Sequence, residues 1–166
     1  MVQVRVVGVA LDPSQQHVIL LKPVHDEPGE GRVLPVWIGA QEAMSILVAV
    51  EGTEVPRPLA HDLMTALLRE VGTTVERVDV TRIAQGTFYA EITIATPGGI
   101  RVLDSRPSDA IALASRVKAD IFVADDVMAE AGVPDEAVQV EEGDDEERVE
   151  EFRRFLDDVD PEDFEK

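Results

Sequence analysis

Apolar residues recur at every second position in some stretches of this chain and at helical spacing in others, and the switches between the two periods divide it into elements. Val2 to Leu11 and His17 to Leu21 are β-rich runs separated by Asp12-Pro13-Ser14-Gln15, residues that favour a tight turn, so a hairpin is expected. Val24 to Arg32 carries Pro28, Gly29 and Gly31 among charges and reads as an exposed loop before a strand from Val33 to Ile38. From Gln41 to Val50, Ala43, Ile46, Leu47 and Val50 fall at helical spacing, and Gly52 ends that helix. A second helix starts at Pro58, with Leu59, Leu63, Ala66 and Leu67 on one face, Met64, Leu68 and Val71 beside it, and Gly72 as its stop. Val75 to Ile83 and Thr87 to Ala95 form a hairpin around Gln85-Gly86, in which Phe88, Ala90, Ile92 and Ile94 alternate onto a buried face and Tyr89 points outward. Pro97-Gly98-Gly99 turns the chain into a third strand ending at Asp104. A helix of small and apolar residues follows, then a short strand from Ile121 to Ala124 and a short helix closed by Gly132 and Pro134. Strands grouped before and between helices, without steady alternation, predict an α+β domain with a mixed, mostly antiparallel sheet and several short helices.

Charge divides the chain near residue 134. Residues 135–166 hold 16 of the 34 acidic residues and 4 of the 15 basic ones, whereas residues 1–134 carry a net charge of −7. Glu141 to Glu147 is nearly all acidic and reads as a solvated linker, after which Val149, Phe152, Phe155, Leu156 and Val159 fall on one side of a helix. The expected organisation is a domain over 1–134 and an acidic linker with an amphipathic C-terminal helix over 135–166. The apolar faces of several short helices exceed what one small sheet covers, which predicts a homodimer or higher homo-oligomer. Without cysteine, disulfides, thiolate zinc sites and cysteine nucleophiles are excluded. No apolar run reaches membrane-spanning length and the N-terminus enters a Val-rich strand, so a cytoplasmic protein with no membrane partner is expected.

The segment Asp104-Ser105-Arg106-Pro107-Ser108-Asp109 joins a strand end to a buried helix. Pro107 suits the first helical turn, where its missing N–H costs nothing. Ser105, Ser108 and Asp109 are alternative partners for the free N–H groups of that turn. Polar groups at the positive end of a buried helix form either a structural latch or an anion and substrate site.

Arg106-Pro-Ser-Asp-Ala-Ile-Ala-Leu-Ala114 resembles the hallmark motif of the bifunctional nuclease family, whose members are described as acting on DNA and RNA. Three further segments agree in order: Leu34-Pro-Val-Trp-Ile-Gly39 with Glu42-Ala43, Pro56-Arg-Pro-Leu-Ala-His-Asp-Leu63, and Gly86-Thr-Phe-Tyr-Ala90. The resemblance covers Met1 to Val133 and implies a nuclease with DNA and RNA as partners. One departure is Ala60, where the family usually has Thr.

With three histidines and three lysines in the chain, neither a lysine-assisted nor a paired-histidine nuclease mechanism is supported. A carboxylate set with one histidine remains. Glu42, Asp62, Asp104 and Asp109 lie at strand ends or first helical turns and are the candidate ligands of a Mg²⁺ or Mn²⁺ ion that would activate water and neutralise a phosphodiester. His61 is the candidate general base, with Asp62 and Asp109 as its catalytic partners. Arg57 and Arg106, each just before a helix-starting proline, and Ser108 are candidates for holding phosphate. His61 falls on the polar side of its helix in a row with Thr65 and Arg69 and is expected to be exposed. An acidic surface repels phosphate backbones, which weighs against nucleic acid. The leading expectation, carried by the resemblance, is a metal-dependent nuclease of low sequence preference. The competing one is a non-catalytic oligomeric interaction or regulatory module, in which Arg106, Asp109, His61 and Asp62 form a buried polar latch.

Overall fold

A computed structural model describes residues 1–135; the expected acidic linker and amphipathic helix lie outside the described residues. Among the described residues the elements are, in order, β1 (Val2–Leu11), β2 (His17–Pro23), β3 (Arg32–Ile38), α1 (Ala40–Glu51), α2 (Ala60–Glu70), β4 (Thr74–Ala84), β5 (Thr87–Thr96), β6 (Gly99–Ser105), α3 (Pro107–Val117), β7 (Asp120–Val123), α4 (Asp125–Ala131) and the two-residue β8 (Val133–Pro134). The strands form one sheet in the order β6-β5-β4-β7-β1-β2-β3-β8. Only β4 and β7 run parallel; the other neighbours are antiparallel. This is the mixed α+β architecture that the hydrophobic pattern predicts.

Helix α3 forms the centre of the core. Ala110, Ala112 and Ala114 are fully buried, and their small side chains let α3 pack on β4 and β5 on one side and on α1 and α2 on the other. Opposite it, Val78, Val80, Ala90, Ile92 and Ile94 supply the alternating face expected of the hairpin. The Asp12 turn also forms as expected, since its carboxylate accepts the N–H groups of Ser14 and Gln16 at 2.8 and 2.9 Å.

Helix α2 reverses one expectation. Leu63, Met64, Leu67 and Val71 are all exposed, and His61, expected on the outside, is the one buried residue of the helix. Periodicity identifies a stripe but carries no information about which side the neighbouring helix covers. Here α2 packs on α3, and the side turned inward is the one that makes hydrogen bonds.

At the far edge, Lys22 is 2% exposed. Its ammonium donates to the Glu27 carbonyl and to Asp135 Oδ2 at 2.5 Å, and the Gly29 N–H donates to the same oxygen at 2.6 Å. The Lys22 hydrogen bond outweighs the effect of burial and holds the Asp135 carboxyl below the usual carboxylate value. These bonds tie the end of β8 to the loop before β3. Removing Asp135 strands a buried ammonium. Asp135→Ala is therefore expected to lower stability in urea unfolding by about 3 kcal/mol, while Asp126→Ala, at an exposed position, changes it by less than about 0.5 kcal/mol.

Candidate functional site

Five polar side chains link α1, α2 and α3. Ser45 Oγ lies 2.9 Å from His61 Nδ1, and His61 Nε2 lies 3.0 Å from Asp109 Oδ1. Arg116, near the end of α3, donates to Ser45 Oγ at 3.0 Å and to Asp62 Oδ1 at 2.5 Å. Asp62 also accepts the Leu59 N–H at 2.8 Å. Because an ionised carboxylate only accepts, His61 Nε2 carries a proton toward Asp109, and Nδ1 of the neutral ring then accepts the Ser45 hydroxyl proton. Ser45, His61 and Asp109 thus have the order of a nucleophile triad. Ser45 is nevertheless buried and its oxygen already receives Arg116, so the series lacks an open nucleophile.

At its outer end the network meets Arg106, the N-cap residue of α3, which makes no capping side-chain bond. Its Nε and Nη2 donate to the two Asp109 oxygens at 2.7 and 3.0 Å, and Nη2 is 2.9 Å from Glu42 Oε1. Burial by itself raises the Asp109 carboxyl; the hydrogen bonds from Arg106 and His61, with the Arg106 charge, outweigh it and hold the group below its usual value. Asp109 in turn pushes the Arg106 guanidinium upward. Gly39 leaves the space into which the Glu42 carboxylate folds back, since a Cβ there would collide with it.

Glu42, His61, Arg106 and Asp109 border one cavity of about 670 Å³ with apolar walls that include Met44 and Met64. The remaining candidates fall elsewhere. Asp62 faces Arg116 across the helix junction, Ser108 lines a neighbouring cavity, and Arg57 is exposed and outside both. Asp104 is exposed on β6 in register with Glu91. The Glu42, Asp62, Asp104 and Asp109 carboxylates therefore do not form one cluster, and no group of three His, Asp or Glu suited to a metal occurs among the described residues. The expected buried latch also changes its members: Arg106 is 66% exposed, and the buried arginine is Arg116, 7% exposed. Reading the sequence for chemistry missed Arg116 and Ser45. Their signal was present, since each is a polar residue inside an otherwise apolar helical run, and Arg116 falls on the same helix face as Asp109.

The bifunctional nuclease domain family matches residues 19–136, and the chain belongs to this family. An uncharacterized protein of Mycobacterium tuberculosis is 40% identical over 98% of this chain and 97% of its own length. Bifunctional nuclease 1 of Oryza sativa subsp. japonica is 29% identical over 68% of this chain, and Bifunctional nuclease 1 of Arabidopsis thaliana is 27% identical over 58%. The matches span only 34% and 31% of those plant proteins. No helix among the described residues is long and apolar enough to cross a membrane.

The gradient of burial along the network predicts unequal costs. Arg116→Ala leaves Asp62 and Ser45 without their buried donor and is expected to cost about 3–5 kcal/mol in urea unfolding, whereas Arg106→Ala costs less than about 1 kcal/mol because the pair is solvated. The lowered Asp109 group stabilises the fold above the usual carboxylate value of about 3.9, and this contribution is lost as pH falls through the lowered value. The stability difference between the parent and Asp109→Asn should therefore be full at neutral pH and shrink below about pH 4. A constant difference down to pH 2 would contradict the assignment.

Proposed function

We propose that this chain is a phosphodiester hydrolase acting on DNA and RNA with low sequence preference, and that its substrate site is the cavity bordered by Glu42, His61, Arg106 and Asp109. Membership of the bifunctional nuclease family and the names of the plant relatives support the reaction class. The observation that carries the location is Arg106. One edge of its guanidinium is held by Asp109 and Glu42 through Nε and Nη2, which leaves Nη1 outside these bonds on a side chain that is 66% exposed. A fixed planar cation with a free edge suits a phosphate oxygen. Behind it, His61 holds a proton at Nε2 against Asp109 and is the group assigned to give that proton to the scissile phosphate once the bond to Asp109 opens. Asp109 orients both.

The Mg²⁺ or Mn²⁺ ion expected from the sequence does not fit the donors as placed. Glu42 and Asp109 share Arg106, Asp62 is held by Arg116, and Asp104 lies on β6. Dependence on a metal is decided by chelation. The closed hydrogen-bond network, in which no buried side-chain polar atom among the described residues lacks a partner, favours a second reading, the non-catalytic oligomeric module. Under either reading the exposed apolar side of α2 is assigned to a second copy of the chain, in keeping with a homo-oligomer. A cytoplasmic setting remains part of this proposal.

Purified chain is expected to degrade single-stranded DNA and RNA, tested with Mn²⁺, with Mg²⁺ and with chelator. Arg106→Ala and His61→Ala, prepared identically, should be slower by at least about tenfold, in the range of a lost general acid–base or phosphate contact. Equal cleavage by folded variants and parent assigns the activity to contamination and leaves the interaction module. In light scattering, Leu63→Asp with Leu67→Asp should reduce the oligomer to a monomer; an unchanged mass removes α2 from the interface.

A further inference from the structure

Beside the Arg106–His61 cavity, and sharing Arg106 with it, lies a second cavity of about 610 Å³ that the hydrolytic reading does not use. Its walls come from the β3–α1 junction (Trp37 and Gly39), the tip of the β4–β5 hairpin (Gly86 and Phe88), and the start of α3 (Arg106 and Ser108). Four strands separate β3 from β5 in the sheet order, so the cavity exists because the sheet curls and brings its two ends together.

Trp37 is 52% exposed, an unusual position for the largest apolar side chain. It is also fixed there. Its indole N–H donates to Asp12 Oδ2 at 3.0 Å, and Asp12 is itself anchored through its other oxygen to the backbone of the β1–β2 turn. The structure therefore holds an aromatic face open at the cavity. Phe88, half-buried, supplies a second ring, in place of the outward Tyr89 that strand alternation offers; the Arg82 guanidinium lies 3.3 Å over the Tyr89 ring centroid and covers it. Ser108, 6% exposed, also lines the cavity. The free edge of Arg106 completes the lining.

Two aromatic side chains, a serine and an exposed guanidinium complement a planar heterocycle with a polar edge and an attached phosphate. We propose that this cavity is a subsite for one unpaired nucleotide of a single-stranded nucleic acid, with its base against Trp37 and Phe88 and its phosphate on Arg106. A base inside a duplex has both faces stacked and is not available to the rings, so the subsite selects single strands over duplex. The inference rests on the reading of the adjoining cavity as a nucleic-acid site and adds to it the strandedness of the substrate.

The chain has one tryptophan, so its emission reports on this cavity alone. In the presence of chelator, titrating the full chain with a short oligothymidylate is expected to quench Trp37 saturably, while the same strand annealed to its complement needs at least about tenfold more. By anisotropy of the labelled single strand, Trp37→Ala should weaken binding about tenfold or more, in line with the loss of one stacked base, and Trp37→Phe should restore most of it. Unchanged Trp37 emission at saturating strand, equal affinity of Trp37→Ala, or no binding by either measurement overturns the subsite. Cleavage that persists in Trp37→Ala at unaltered affinity would sink the subsite and leave the hydrolase reading standing; a chain that binds single strands through Trp37 but never cleaves them would do the reverse.

Discussion

Arg116 is buried where α1, α2 and α3 meet, and the cost of taking a guanidinium out of water constrains the arrangement of all three helices. That cost is tolerable only when its N–H groups find acceptors. Asp62 of α2, Ser45 of α1 through both its hydroxyl and its carbonyl, and the Ala112 carbonyl of α3 itself meet this need. Each acceptor comes from a different element, so the helices must arrive at fixed rotations. This explains why α2 turns His61 inward and leaves Leu63, Leu67 and Val71 in solvent: satisfying Arg116 and His61 requires the polar side of the helix, and no orientation buries both sides against α3.

The same chain of bonds explains how a structural latch and the proposed site occupy one network. Hydrogen bonds run from buried Arg116 through Ser45 and His61 to Asp109, and then to exposed Arg106. At the inner end every donor is committed and the bonds set the fold. At the outer end the guanidinium retains unused donors and lies between two cavities. His61 occupies the boundary, oriented by buried groups and bordering the cavity. The bland and the chemical readings of the helix-start residues are therefore descriptions of opposite ends of one structure.

Curvature of the sheet forms the second cavity of the proposed site. A flat sheet in this strand order would hold β3 and β5 far apart, and Trp37 would not meet Phe88 across one cavity. The Asp12 turn adds a local constraint, because its carboxylate both closes the β1–β2 hairpin and fixes the indole. A short-range turn and a long-range curl thus act on the same side chain from opposite directions.

The elements themselves were legible from the sequence because each is set by local periodicity and by residues with strong backbone preferences. The alternation of Ala90, Ile92 and Ile94, the glycines at helix ends and Pro107 at the first turn of α3 act within a few positions of one another, and they located the strands and helices. Among the candidate residues, Glu42, His61, Arg106 and Asp109 border one cavity because they sit at element junctions, where topology tends to bring chain ends together. Which of the two sides of α2 faces inward, which arginine is buried, and that Asp104 stays apart from the other carboxylates were decided only in three dimensions. Those outcomes depend on pairing between residues distant in the chain, such as Arg116 with Asp62 and His61 with Asp109. Sequence patterns report how a segment divides its polar and apolar positions, whereas the tertiary structure decides which polar groups can be satisfied together away from water.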